Sequence, residues 1–358
     1  MRERCAPLLN RFVSWLCLAM LAPLLIGSGV ALSADAPSSV GSKVPFFRPI
    51  PDDLFGVSFV NQLHGWVSGY HGSVLKTSDG GGTWSYQEMG ADQLIRRIRF
   101  VNEKQGWAVG HRGSVYRSSD GGAKWNERTL ERGLYLRSLD FVSPEVGWVV
   151  GHEASIFSTR DGGDTWARQS LLNFKGRDLP RLSGIAAVTE QTAVAVGEFG
   201  TVAVTHDGGS TWRVMASVTT STLTAVAATQ NYFVAVGLDG AALTGTLVPP
   251  HTEELRVLPT NTKEHLFDIG FNDRGQGIAV GRAVALEVNG TEFKPVPVAT
   301  PFDRRSTWLG GVAILPDGTV YAVGNSGHIL RRAPASGQFS VIYQTAASGL
   351  YSGELSND

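Results

Sequence analysis

From about residue 50 to residue 345, short apolar runs closed by glycine alternate with polar, glycine-rich turns. One unit reads Leu139 to Val142, a turn, Gly147-Trp148-Val149-Val150-Gly151, a second turn, Ser155-Ile156-Phe157-Ser158, an Asp-Gly-Gly turn, and a segment opened by Trp166. Runs this short, bounded by turn residues, predict four β-strands.

The unit repeats. Gly65-Trp66-Val67-Ser68-Gly69 returns as Gly106-Trp107-Ala108-Val109-Gly110 and as Gly147 to Gly151. Weaker copies end at Gly197, Gly237, Gly281 and Gly324, so seven closing glycines step by 41, 41, 46, 40, 44 and 43 residues. Four short strands in roughly 40 residues make one propeller blade. The pattern therefore predicts an all-β chain: a single seven-bladed β-propeller of four-stranded blades over residues 50–345, with residues 346–358 as a C-terminal tail. A solenoid would need end caps, which closure into a ring makes unnecessary.

A second motif marks the same units. Thr77 to Trp84 fits the Asp-box pattern Ser/Thr-x-Asp-x-Gly-x-Thr-Trp, and copies follow at Ser118 to Trp125, Thr159 to Trp166 and Thr205 to Trp212. An aspartate in such a hairpin turn accepts backbone N–H bonds, glycine supplies positive φ, and the tryptophan buries a ring between sheets. Asp79, Asp120, Asp161 and Asp207, with Trp84, Trp125, Trp166 and Trp212, are thus expected to be structural, because identical turns on successive blades do not converge on one site. The box has decayed in blades five to seven, which are expected to close on strand packing alone.

Composition adds three constraints. The 43 glycines and the 18% of charged residues suit many short strands and few helices. Residues 1–34 have a basic start, an apolar run from Phe12 to Ile26 and then small residues, the layout of a signal peptide; an uncleaved anchor of similar length is the alternative. Either leads outside the cytoplasm, to the periplasm or an equivalent compartment. Both cysteines, Cys5 and Cys17, lie in this leader without a lipobox, so no disulfide, thiol nucleophile or Cys-ligated metal is expected in the mature chain. The net charge of −1 becomes −3 without the leader, which argues against nucleic acid as a partner. Residues 35–49 read as a linker or a closing strand.

Asp-box repeats with Gly-Trp-x-x-Gly strands at this period resemble the photosystem II stability and assembly factor family over roughly residues 50 to 345. The resemblance implies a seven-bladed propeller that assists assembly of a membrane complex, docking through an arginine-rich surface. It implies photosystem II as the complex in a photosynthetic host, and otherwise an envelope complex such as a transporter. In the first-strand segments Leu94 to Phe100 and Tyr135 to Leu139, Arg96 and Arg137 are equivalent, 41 residues apart. Arg181 is shifted by two positions, Arg304 and Arg305 precede the seventh unit, and Phe55, Thr222 or Phe267 stand nearby in others. Arg96, Arg97, Arg99 and Arg137 are the expected partner contacts. Strict alternation places Ile95, Arg97 and Arg99 on one face and Arg96 and Ile98 on the other. These guanidinium groups bind a carboxylate-rich loop, or else pair locally with Asp92, Glu103 or Asp140. The expected protein is a monomer, peripheral to the membrane, bound to an integral-membrane or envelope protein.

The rival is a glycoside hydrolase, since sialidases and xyloglucanases also carry the box. Sialidases have six blades, xyloglucanases pair two propellers, and Pro49 interrupts the Phe47-Arg48-Pro49-Ile50-Pro51 segment where a sialidase has Phe-Arg-Ile-Pro. Two carboxylates about 5 to 10 Å apart would be needed. Asp52, Asp53, Glu153, Glu198 and Asp239 are candidates that read equally as polar turn residues, and none is assigned a catalytic role. His71, His111 and His152 follow the second strands on one rim, too far apart for a metal site unless close to the axis. No catalytic residue, metal or cofactor is expected.

Overall fold

The computed structural model describes residues 53–344, apart from 173, 175, 177, 249–253, 300 and 303. The predicted leader, the possible closing strand at 35–49, Asp52 and the 47–51 segment therefore lie outside the described residues. Seven antiparallel sheets follow one another along the chain, each built from contiguous sequence. In the first blade the strands are Leu54–Phe59, Gly65–Gly69, Ser73–Thr77 and Ser85–Glu88. Blades two to seven open with the first strands Ile95–Phe100, Leu136–Phe141, Leu182–Ala187, Leu223–Ala228, Leu266–Phe271 and Leu309–Ile314. Each first strand packs against those of its two neighbours, and Leu54–Phe59 packs against Leu309–Ile314, so the ring closes first blade on last. No described strand is shared between those two blades. The fourth blade carries one extra strand, Leu171–Leu172, parallel to its outer edge.

The second strands are buried except at Tyr232 and Gln276, which open those of blades five and six, and the core lies in the seams between blades rather than within any one sheet. At the seam between blades one and two, Trp66 stacks on Phe100 of the next blade at 3.7 Å, and Trp125 of that blade's Asp box meets the same phenyl ring edge-on at 5.8 Å. The next seam repeats this with Trp107, Phe141 and Trp166. A Cβ at Gly106 would stand 2.5 Å from the Phe100 ring, so the ring can lie flat across the strand only where that strand begins with glycine. The Gly-Trp repeat thus encodes a sandwich of three rings across a seam.

Each box is closed by its own aspartate. Asp79 Oδ1 accepts from Thr83 N at 2.9 Å and from Thr77 Oγ1 at 2.8 Å, while its Oδ2 accepts from Thr83 Oγ1 at 2.7 Å. Asp120, Asp161 and Asp207 accept the equivalent backbone N–H. The Thr83 bonds pull the Asp79 pKa down to about 2, and bonds from Thr165 do the same for Asp161. Carboxylates so occupied hold turns together.

The turn so shaped offers a carbonyl to its neighbour. Trp66 Nε1 donates to Gly121 O at 3.0 Å and Trp107 Nε1 to Gly162 O at 2.8 Å. In the seventh blade Tyr321 holds the tryptophan position: it stacks on Phe59 at 3.9 Å, and its hydroxyl donates to Gly80 O at 2.8 Å. Blades five to seven therefore close on more than strand packing. Thr224 Oγ1 donates to Leu266 O at 2.7 Å, Val312 N donates to Asp268 Oδ2 at 2.9 Å, and Ser326 N donates to Asp53 Oδ1 at 2.8 Å, each bond crossing a seam. Ser58 and Asp140 make comparable seam-crossing bonds between blades that carry the box, accepting from Phe100 N and Ala187 N at 2.9 Å each.

Tyr321→Phe keeps the stacked ring and deletes the hydrogen bond at the closing seam, so it should cost about 1 kcal/mol in chemical denaturation. Tyr321→Ala also empties the seam and should cost about 3–5 kcal/mol. Equal losses would mean that the hydroxyl, not the ring, holds the seam.

Candidate functional site at the channel mouth

In every blade the pairing of first and second strands slips by one residue near the start of the first strand. The residue left over follows the buried leucine or isoleucine that opens the strand: Phe55, Arg96, Arg137, Ser183, Thr224, Phe267 or Gly310. A bulge of this kind re-aims one side chain, and all seven positions line a single funnel at the mouth of the central channel. Strict alternation fails here for the same reason. Ile95 and Ile98 are both buried, and Arg96 between them is the unpaired bulge residue.

The four arginines expected to contact a partner divide into two pairs. Arg97 reaches across the axis, its Nη1 lying 2.7 Å from Asp268 Oδ2 of the sixth blade. Asp268 is 1% exposed, and burial of Arg97, which alone would lower its pKa, is outweighed by that carboxylate, so the guanidinium is held above its usual value. Arg99 lies with its Nε 3.2 Å from Asp140 Oδ1. These two cations are committed inside the ring. Arg96 and Arg137 are not: among the described residues neither has an ion-pair partner, and the half-buried Arg137 keeps a buried Nε with no acceptor. Arg96 lies over the Phe55 ring at 5.1 Å. Burial, followed by repulsion from Arg137 and Arg97, pushes its pKa down to about 10, which leaves it protonated at neutral pH. Burial and then Arg181 likewise lower Arg137.

Around these two cations the rim is aromatic. Tyr135 lies between His111 at 4.7 Å and His152 at 5.1 Å, while Phe55 packs with Tyr70 and Trp308 at 5.2 and 5.0 Å. Burial is the first cause, and Arg137 the second, of a lowered pKa at both His111 and His152. His71 pairs with Asp92 at 2.9 Å, and among the described residues no three His, Cys, Asp or Glu side chains form a possible metal cluster. Arg181 is held by Glu198 through Nε at 2.6 Å, and Arg305 lies 3.2 Å from Glu264. The carboxylates weighed as catalytic are scattered over turns of different blades. Glu198 is kept below the usual carboxylate range by its bond from Arg181, Asp53 latches the first blade to the seventh, and Glu153 and Asp239 hold left-handed turn positions.

The sequence pointed to Arg96, Arg137, Phe55 and Phe267, but not to Ser183, Tyr135, Trp308 or Asp268. Counting back from the closing glycine already places Ser183 in register with the arginines, and aligning the units on the buried Leu/Ile of each first strand adds Thr224.

The family model described as photosynthesis system II assembly factor YCF48 matches residues 83–348. This chain belongs to that family. Among solved structures it is similar to YCF48 bound to D1 peptide, at 17% identity and a TM-score of 0.63, with 80% of this chain and 93% of that one covered. It is similar to YCF48 from Cyanidioschyzon merolae at 18% identity and a TM-score of 0.64, covering 80% of this chain and 98% of that one. An ancestral GH74 enzyme shares the fold at 10% identity and a TM-score of 0.65, covering 82% of this chain but 46% of the enzyme. No curated protein matches the chain.

Two outcomes follow from the geometry. Asp268→Ala strands the Arg97 charge in the ring and should cost about 3–5 kcal/mol, whereas Arg97→Met with Asp268→Asn, which leaves no uncompensated charge, should cost less in urea melts. The depressed pKa values of His111 and His152 mean that the unfolded chain takes up protons first as pH falls. Stability is fully present above about pH 6.5 and is lost as pH drops through the lower folded values. Thermal melts should show this slope, and His111→Asn with His152→Asn should flatten it.

Proposed function

We propose that this family member is a non-catalytic, exported propeller that binds a protein of a membrane complex at the channel mouth and assists that complex's assembly or stability. The observation that carries the reading is the pair of half-buried guanidinium groups, Arg96 and Arg137, re-aimed by bulges into one funnel and without an ion-pair partner among the described residues. Two such groups favour a carboxylate, which they take in bidentate fashion. A YCF48 structure holds D1 peptide, which supports a peptide segment as the ligand class. The complex is photosystem II in a photosynthetic host and an envelope complex such as a transporter elsewhere. The protein works as a monomer, peripheral to the membrane, on the periplasmic or equivalent side.

A glycosidase is the alternative, favoured by the fold shared with the GH74 enzyme. It is the weaker reading, because a glycosidase needs two convergent carboxylates, whereas Glu198 is engaged by Arg181, Asp53 accepts from Ser326 N, and Glu153 and Asp239 sit in turns of different blades.

Purification of the tagged full chain from gently solubilised membranes, followed by identification of what accompanies it, tests the proposal. An integral-membrane partner should be retained by the wild type and lost by Arg96→Glu with Arg137→Glu, whose affinity should fall about 100-fold or more while the thermal melt stays cooperative. Retention by that variant removes the two arginines from the interface; absence of any partner together with hydrolysis in a glycan screen favours the glycosidase.

A further inference from the structure

The mouth has a second half, chemically unlike the first. Opposite the arginines of blades two and three, an unbroken chain of rings runs over blades one, seven and six: Tyr70 to Phe55 at 5.2 Å, Phe55 to Trp308 at 5.0 Å, and Trp308 to Phe267 at 6.4 Å. Phe55 and Phe267 are bulge residues, aimed into the funnel by the same slip that aims Arg96 and Arg137. In the seventh blade the bulge residue is Gly310, and a Cβ there would lie 2.6 Å from Trp308 Cζ3. The indole thus occupies the place that a bulge side chain takes in the other blades. Arg96, lying over Phe55, joins the two halves. Tyr70 is 40% exposed and Trp308 is half-buried, so apolar surface is offered next to unpaired positive charge. Below, the Arg97–Asp268 pair spans the axis and gives the funnel a floor.

We infer that the segment bound at the mouth is an acidic peptide that also carries an aromatic or large aliphatic residue, the carboxylate seated between Arg96 and Arg137 and the apolar side chain on the ring arc of Phe55, Trp308 and Phe267. The inference rests on the proposed function and adds a second specificity element to it. The charge pattern singles out this occupant: a basic arc alone takes any anion, and a ring arc alone takes any apolar group, whereas both within one floored funnel select a chain that presents the two a few residues apart. Arg96 and Arg137 are half-buried in a funnel, which a peptide segment can enter and a flat anionic membrane cannot.

The test uses the full chain and fluorescence anisotropy with labelled Gly-Ser peptides. One carries an Asp-Glu pair, and a series carries the same pair with a Trp placed two to six residues away; vesicles containing phosphatidylglycerol are the third probe. The inference expects the best Trp-bearing peptide to bind about tenfold tighter than the acidic one, Trp308→Ala to remove that advantage, and Arg137→Glu to remove binding of both. Gly310→Ala displaces the indole without deleting it and should also remove the advantage, which separates a lost contact from a fold defect. Equal binding of all peptides, still lost on Arg137→Glu, overturns the two-part recognition and leaves the proposed function standing. Binding to vesicles but to no peptide, or binding to none of the probes, overturns both.

Discussion

At three of the seven seams an aromatic side chain on the second strand of one blade gives its N–H or O–H to a backbone carbonyl in the box turn of the next, and those seams, the closing one among them, depend on that bond and on the ring stack beneath it. The turn presents the carbonyl because its aspartate has gathered the local N–H and hydroxyl donors, as Asp79 does with Thr83 and Thr77. The stack forms because glycine at the start of the second strand lets a phenylalanine lie across it. One local motif thus supplies the acceptor and another the donor. At the first, second and closing seams this pair joins four-stranded sheets that are each marginal alone, and at other seams first-strand side chains such as Asp140, Thr224 and Asp268 make the crossing bond. The closing seam obeys the same rule with Tyr321 in place of tryptophan and Gly80 as acceptor.

A rigid ring fixes where the bulges point. Seven first strands slip at the same position, so six side chains and one glycine meet at one mouth, and the identity of those seven residues decides its chemistry. Two arginines, two phenylalanines, two hydroxyl residues and a glycine give a site with a basic side, an aromatic side and small residues between. The next residue along sets the floor, where Arg97 and Asp268 neutralise each other across the axis. Cations one and three residues apart in sequence therefore have opposite fates: Arg96 lines the funnel without an ion-pair partner among the described residues, while Arg97 and Arg99 pair with carboxylates of the scaffold.

The blade count, the four-strand unit and the occupation of the Asp-box aspartates are local, periodic features, and the Gly-Trp and Asp-Gly-Gly spacings made them legible in the sequence. The pair Arg96 and Arg137 was legible through the 41-residue step. The bulge was not, because one extra residue in a strand leaves no mark on composition or period and inverts the alternation on which face assignments rest. The partner of Arg97 was hidden for a different reason. Asp268 lies 171 residues away and becomes a neighbour only when the ring closes. Trp308 precedes its strand and reads as a loop residue until Gly310 is seen to leave room for it. Arg99 with Asp140, by contrast, is the local pairing that the sequence left open as an alternative for the arginines.

The account stands on a single functional face, and photo-crosslinking in intact cells addresses that face directly. A photoreactive residue is placed at Ser183, on the bulge ring of the mouth, and in a second strain at Lys104, an exposed turn residue at the opposite end of the second blade. The account predicts an adduct with an integral-membrane protein from position 183 and none from position 104. An adduct from position 104 alone would contradict it and move the functional surface to the Asp-box side of the ring.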